Sequence, residues 1–355
     1  MILMNPGPVC LSERVRRSLL NADLCHREPE FFDLQDEIRM RLLGVYDLDP
    51  GQWSAVLLTG SGTAAVESMI AGIPHADARM LILENGVYGE RMAQMCAQYG
   101  IAHETLKGPW QDAPDPGQVA ARLARGAFTH LAVVHHETTT GRLTDIDALG
   151  RQCAAAGVQL LVDAVSSFGA EAIDFAAPAL AAVAATANKC LHGVPGVSFV
   201  ITRRVALARA VARTYYLDLV RLARMQDQRN TPFTPAVQVC YGLLEALREY
   251  QEQGGRAARH ARYAALTEQA RAGLAQLGIE GLLTPQQSSV VLRAYQLPRG
   301  IDYPKLHDAL KADGFVIYAG QGDLARTLFR IATMGEIGPA DIARLLRSFQ
   351  RLCRP

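Results

Sequence analysis

The sequence predicts an α/β protein in which a large domain, built on a mainly parallel sheet, precedes a smaller α+β domain at the C-terminus. Three observations predict it. Between about residues 55 and 205, short apolar runs alternate with Ala-rich segments of helical spacing. Past Pro235 the pattern changes to a long helical stretch, then to short strands and helices. A chain of 355 residues also exceeds one ordinary core, so two domains are expected.

The runs at 54–58, 80–83, 130–134, 158–162 and 197–201 read as fully buried strands. The segments 64–71, 89–98, 116–125 and 146–156 carry apolar residues at helical spacing between them. Buried strands separated by helices mean a mainly parallel sheet covered on both faces. After Pro235 a helix is expected to continue past Gly254-Gly255 to Leu277. Strands at 289–294, 315–318 and 328–332 and helices at 303–313 and 339–352 complete the tail. The division expected is an N-terminal segment (1–20) lying near the functional site, a large domain (21–255) and a small one (256–355).

Composition narrows the function classes. Apolar residues at 49% with 20% charged residues are those of a soluble globular chain. No stretch approaches the roughly 20 apolar residues of a membrane span. The opening residues lack a basic segment and are soon broken by Pro6, Gly7 and Pro8, so a secretion signal is not expected. A net charge of +1 offers no reason to invoke nucleic acid. The seven cysteines are scattered, odd in number and without a CxxC pair. That pattern argues against a disulfide framework or zinc knuckle and for a reducing cytoplasm. His135 and His136 point to opposite faces of an extended segment, so no metal site is expected.

Three motifs carry chemistry. Thr59-Gly60-Ser61-Gly62-Thr63 lies between a buried strand and an Ala-rich helix. Its glycines, hydroxyls and helix N-terminus suit a phosphate. No Lys-Ser/Thr pair follows, which excludes a P-loop. A nicotinamide reading stays open, because Gly60-x-Gly62-x-x-Ala65 fits the relaxed dinucleotide pattern and Glu84 ends the next strand. The second motif, Leu161-Val162-Asp163, delivers a carboxylate to the carboxyl edge of the sheet, where it can pair with a pyridinium nitrogen or simply cap a helix. The third is Asn188-Lys189-Cys190, in an apolar and Gly-rich setting just before a strand. A lysine desolvated there has the lowered pKa of a Schiff-base lysine; an exposed loop lysine is the alternative. The other lysines, Lys107, Lys305 and Lys311, fall in an expected loop or on the tail's helix. A phosphate cradle, an acid for a ring nitrogen and an amine 26 positions further on are together explained by pyridoxal phosphate (PLP).

With these motifs in place, the sequence resembles the class-V aminotransferase group of fold-type I PLP enzymes nearly end to end. Asn85-Gly86-Val87-Tyr88-Gly89-Glu90-Arg91, His136-Glu137-Thr138-Thr139-Thr140-Gly141 and Asp163-Ala164-Val165-Ser166-Ser167 carry much of it, with Gly193-Val194-Pro195-Gly196 and Phe315-Val316-Ile317-Tyr318. Within the group it is most similar to the 2-aminoethylphosphonate–pyruvate branch. The resemblance implies that Lys189 carries PLP and moves the proton, and that Asp163 pairs with the ring nitrogen. It implies that Ser61, Gly62 and Thr63 bind the phosphate, with Asn188 nearby and Thr234 reaching over from a second subunit of a homodimer. Tyr88 would stack on the ring, Thr138 or Thr139 would approach its phenolic side, and Arg330 would grip the acidic group of amino donor and keto acid in turn. Each has a plain alternative: Tyr88 as a core tyrosine, Thr138 to Thr140 as turn formers, and Arg330 facing solvent from a strand.

Two segments depart from the phosphonate branch. Asp23 to Phe31 looks closer to alanine– and serine–glyoxylate aminotransferases, and the stretch from Tyr215 to Thr234 also differs. A glyoxylate-type aminotransferase is therefore the second reading. A PLP lyase or desulfurase, needing a reactive thiol, is the third, and a nicotinamide oxidoreductase is the rival from another class.

Overall fold

The computed structural model describes residues 1–353, so residues 354 and 355 of the expected small domain lie outside the described residues. In chain order the strands are β1 (Ile2–Leu3), β2 (Trp53–Gly60), β3 (Arg79–Glu84), β4 (Ala102–Lys107), β5 (His130–Val134), β6 (His136–Glu137) and β7 (Arg142–Leu143). They continue with β8 (Gln159–Asp163), β9 (Leu180–Thr186), β10 (Gly196–Arg203), β11 (Leu292–Gln296), β12 (Phe315–Val316), β13 (Tyr318–Ala319) and β14 (Leu328–Ala332).

Seven of them form the central sheet in the order β2-β10-β9-β8-β5-β3-β4. From β9 to β4 the strands run parallel, and β10 alone runs against its neighbours β2 and β9. This is the α/β class with a mainly parallel sheet that the sequence predicts. Side chains alternate across it: Met80 and Ile82 of β3 enter one core, Leu81 and Leu83 the other. Each buried aliphatic side chain contributes about 1.5–3 kcal/mol, so the two-sided core holds the strand ends in register under the site.

Two strands of this sheet have no counterpart in the sequence reading. β9, Leu180-Ala181-Ala182-Val183-Ala184-Ala185-Thr186, is buried throughout. Its alanines favour a helix in isolation, but at the centre of the sheet their small side chains let the helix Gly62–Gly72 pack closely. β4 is a polar edge strand whose Glu104 pairs with Arg79 and Arg122; charges on an edge discourage pairing with another chain. Lys107, expected in a loop, ends this strand and bridges to Glu84 at 2.9 Å. The helix Pro29–Gly44 precedes the stretch read as alternating; it starts on Pro29 and buries Phe31, Leu34, Ile38 and Leu42 against the sheet.

The long C-terminal helix is broken in two, Val237–Glu252 and Gly255–Ala275. Gly254 and Gly255 have φ of 93° and 64°, a left-handed turn that a helix cannot contain and that glycine adopts without strain. A third apolar cluster, with Leu266, Tyr295, Phe315, Phe329, Leu345 and Phe349, fills the C-terminal unit. There β11, β14 and β13 form a small sheet. The run at 315–318 is not one strand. It divides at the buried Ile317, so that β12 pairs with β1 and β13 with β14. The N-terminus is thereby stitched to the C-terminal unit, with Met4 accepting from the Ala332 amide at 2.8 Å. Glu171 closes the other seam, taking the Ser289 hydroxyl at 2.5 Å and the Val290 amide at 2.9 Å.

Candidate active site

The parallel strands deliver their motifs to one edge. β2 ends at Gly60, β3 at Glu84, β5 at Val134, β8 at Asp163 and β9 at Thr186. The turns that follow carry Ser61 to Thr63, Asn85 to Tyr88, His135 to Thr140 and Ala187 to Lys189. The carboxyl edge of such a sheet is where α/β ligands bind.

Lys189 lies in the turn after β9, largely buried with part of its surface exposed. Its Nζ donates to the Pro6 carbonyl. Gly7 lies so close that a Cβ there would come within 2.9 Å of Nζ. Burial pushes the amine down to about 8, against the pull of neighbouring Cys190 and Asp163. The exposed-loop reading of this lysine does not hold. Asp163 is buried at the end of β8, and its Oδ1 accepts from the Val165 amide at 2.9 Å. Burial raises its carboxyl to about 6, with that amide, Arg91 and Lys189 opposing.

The glycine loop sits directly on this turn, since a Cβ on Gly62 would come within 2.7 Å of Val165 Cγ1. Ser61 occupies the N-cap of the helix Gly62–Gly72, yet its hydroxyl makes no capping bond. Thr63 Oγ1 accepts from Arg91 Nη1 at 3.1 Å, which puts a cation beside the loop. The same guanidinium stacks over the Tyr88 ring at 4.9 Å. Tyr88 is half-buried against the core, so its packing role and a platform role coexist. Asn188 Oδ1 accepts from the Thr186 hydroxyl at 2.9 Å.

Arg330 is buried, not solvent-facing. Strand alternation puts Phe329 and Ile331 into the third core and turns Arg330 toward the large domain. Its Nε donates to the Ala319 carbonyl at 2.7 Å, and its Nη1 to the Thr138 carbonyl at 2.9 Å and to Gln321 Oε1 at 3.0 Å. The paired fork expected of this arginine is therefore mostly committed, leaving Nη2. Thr139 donates its hydroxyl to the same Gln321 oxygen at 3.1 Å, while the buried Thr138 Oγ1 has no partner among the described residues.

Thr234 stands apart. With Thr59, Tyr216 and Phe233 it lines a cleft that shares no residue with the cluster around Lys189. Sequence reasoning put residues 1–20 near the site without singling out Pro6 and Gly7, and it gave no role to Arg91, Gln321 and Glu137. The last three sit in or beside quoted motifs, but only distance shows what each touches.

Glu137 is the most unusual of them. It is fully buried, accepts from the Thr139 amide at 3.0 Å and the Tyr88 amide at 3.4 Å, and is pushed by burial up to about 7. A folded-state pKa above the unfolded value means that the native protein holds more protons between the two. Stability is thus fully present below about pH 4.5 and falls as pH rises through 7, by about 3 kcal/mol for this group. Asp163 adds a decline of the same sign at lower pH. Denaturant midpoints of the cofactor-free protein measured across this window should fall with pH, and Glu137→Gln should flatten the decline; an equal slope in both proteins would refute the assignment.

Several alternatives lose their footing here. Glu84, needed by a dinucleotide, is bridged to Lys107. Cys190, beside Lys189, is buried with its thiol raised to about 12, far from the thiolate that a desulfurase needs. The site suits PLP instead. It offers a desolvated amine, a buried carboxylate with one oxygen unengaged, an anion cradle with a free Ser61 hydroxyl, and the orphaned Thr138 Oγ1.

The aminotransferase class-V family model matches residues 45–324. The chain is 37% identical to the 2-aminoethylphosphonate–pyruvate transaminase of Aeromonas hydrophila, over 99% of this chain and 95% of that one. Among solved structures, the alanine–glyoxylate aminotransferase from Nostoc sp. superposes with a TM-score of 0.93 at 26% identity, covering 99% of this chain and 95% of that one. An aspartate aminotransferase of subgroup IV from Thermus thermophilus gives 0.91 at 27% identity, covering 99% of both chains.

Proposed function

The chain belongs to the class-V aminotransferase family, and on that premise we propose that it moves the amino group of 2-aminoethylphosphonate to pyruvate, yielding phosphonoacetaldehyde and L-alanine. It is a PLP-dependent transaminase. The observation that carries the substrate assignment is Arg330, a buried cation near enough to Lys189 to help lower its amine and joined to the Thr138 turn. Both amino donor and keto acid bring an anionic group, and one site must hold them in turn.

When bound, PLP supplies an electron sink for the charge that develops at the substrate carbon. The protein's own groups do the rest. Lys189, with its amine near 8, is neutral often enough at physiological pH to take a proton from that carbon and return it at the next. Asp163 would hold the ring nitrogen protonated, and its own carboxyl would fall once paired with that cation. Ser61, Gly62 and Thr63 would hold the phosphate at the helix N-terminus, with the Arg91 charge beside them. Asn188 would lie near them, Tyr88 would support the ring, and Thr138 would offer its free hydroxyl to the phenolic oxygen.

A homodimer belongs to the proposal. Thr234 would serve the phosphate of a second copy; in its own chain it lines a cleft with Thr59, Tyr216 and Phe233. The exposed Tyr215 and Tyr216 stack on Phe233 beside it, as an unfilled contact surface would. No helix among the described residues is long and apolar enough to cross a membrane, and the free cysteines suit a reducing cytoplasm. The second reading, an alanine– or serine–glyoxylate aminotransferase, is favoured by the Asp23 to Phe31 segment and by the Nostoc neighbour.

Visible absorption separates these readings. The purified protein should be yellow, lose that colour with 2-aminoethylphosphonate alone, and regain it with pyruvate. Bleaching by alanine or serine but not by the phosphonate would replace the donor with the second reading. A protein that stays colourless when supplied with PLP would overturn the cofactor site.

A further inference from the structure

We infer that Gln321 is the second donor of the substrate's acid site, and that it makes this site selective for a phosphonate over a carboxylate. The inference rests on Arg330 being the substrate's anion partner, as proposed above.

A guanidinium has five N–H groups and no acceptor. In Arg330 the Nε hydrogen goes to the Ala319 carbonyl, and the two on Nη1 go to the Thr138 carbonyl and to Gln321 Oε1. Only Nη2 is left. Arg330 by itself therefore meets an incoming anion through one nitrogen, not through the paired fork that usually grips an acid group.

Gln321 supplies what is missing. It stands between β13 and the short 3-10 turn Gly322–Arg326, half-exposed. Its side-chain orientation is settled by chemistry, because Arg330 can only donate. The Gln321 atom 3.0 Å from Nη1 must then be the oxygen, and the amide nitrogen must point the other way. The Thr139 hydroxyl donates to that same oxygen at 3.1 Å and pins it further. Among the described residues, the amide nitrogen makes no hydrogen bond.

The result is two open donor groups, Arg330 Nη2 and Gln321 Nε2, on side chains joined through the Gln321 oxygen. A carboxylate can offer one oxygen to each donor, but its single charge is shared between them and its two oxygens lie in one plane. A tetrahedral phosphonate has a third oxygen out of that plane and up to two charges, so it can engage both nitrogens with more charge at each. Thr139, read from the sequence as a cofactor contact, acts here as the post that holds Gln321.

The test uses the PLP-loaded enzyme and two unreactive probes, ethylphosphonate and propionate, with binding measured by calorimetry beside steady-state kinetics. Losing one hydrogen bond to a charged group weakens binding about tenfold or more. Gln321→Ala should therefore weaken ethylphosphonate roughly tenfold and propionate less, and raise KM for 2-aminoethylphosphonate more than for pyruvate. Gln321→Glu is the decisive variant. It keeps an acceptor for Arg330 and Thr139 but turns a carboxylate toward the anion. A role limited to propping Arg330 predicts that Glu restores binding; a donor role predicts binding weaker than in Gln321→Ala. Near wild-type binding by Gln321→Glu would overturn the inference. Arg330→Ala separates the two levels: if it abolishes probe binding while both Gln321 variants bind normally, this inference alone fails. If Arg330→Ala binds both probes like wild type, the acid-site reading beneath it fails as well.

Discussion

Lys189→Ala is expected to lower transamination by about four orders of magnitude or more while the chain still folds. A positioned general base alone contributes roughly 10²- to 10⁴-fold. The same substitution also removes the amine that would tether the cofactor. The fold should tolerate it, since the one hydrogen bond of Nζ is to the Pro6 carbonyl. Burial holds the amine below its unfolded value, so the wild-type lysine works against folding below about pH 8, and stability returns as pH rises from there toward the unfolded pKa. The cofactor-free variant should thus melt no lower than the cofactor-free wild type at pH 7. Steady-state kinetics and a circular-dichroism melt decide both halves. Turnover within tenfold of wild type would end the mechanism, and partial rescue by added methylamine would identify the amine as the lost proton carrier.

The second large effect is expected at Arg330. Removing one side of a buried, hydrogen-bonded charge interaction costs about 2–5 kcal/mol, or roughly 30-fold to several-thousand-fold in affinity. Arg330→Ala should therefore raise KM for 2-aminoethylphosphonate and for pyruvate together, because one guanidinium serves both half-reactions. The colour of the resting enzyme should persist, since the groups proposed to hold PLP lie on other elements. Arg330→Lys should recover little, because an ammonium cannot reach Ala319, Thr138, Gln321 and the substrate at once. A rise in KM for only one substrate would show that donor and acceptor use different anion sites. Unchanged values for both would remove Arg330 from the site.

Much of this protein is legible along the chain because its information is local. A strand buried on both faces is written as an unbroken apolar run, as at Met80 to Leu83, and a turn at the sheet's edge is written in the residues that follow. Ser61, Tyr88 and Asp163 each lie within a few residues of such a strand end, and Lys189 stands a few residues before the run at 197–201. A parallel sheet brings all those ends to one edge by construction, so the cluster follows from the fold class. β14 was equally plain, since Phe329 and Ile331 flank Arg330 with period 2.

Other features are decided by partners distant in sequence, which no local pattern encodes. The alanines of β9 favour a helix until the sheet's interior selects the strand, because only small side chains fit beneath the helix Gly62–Gly72. The run at 315–318 looks continuous, but β1 and β14 compete for its backbone and divide it at Ile317. Along the chain Arg330 also admits a solvent-facing reading, and the packing of the C-terminal unit against the Thr138 turn buries it.

By itself, then, the sequence determined the α/β class, the edge at which ligands bind and the amine and acid that face each other there, because strand polarity and the turn after each strand are local properties. Tertiary structure alone decided which hydrogens of Arg330 remain free, how Gln321 is oriented, and why Glu137 is harder to ionise than a free carboxyl. Those depend on burial and on distances between residues nearly two hundred positions apart, set only when the two units close on one another.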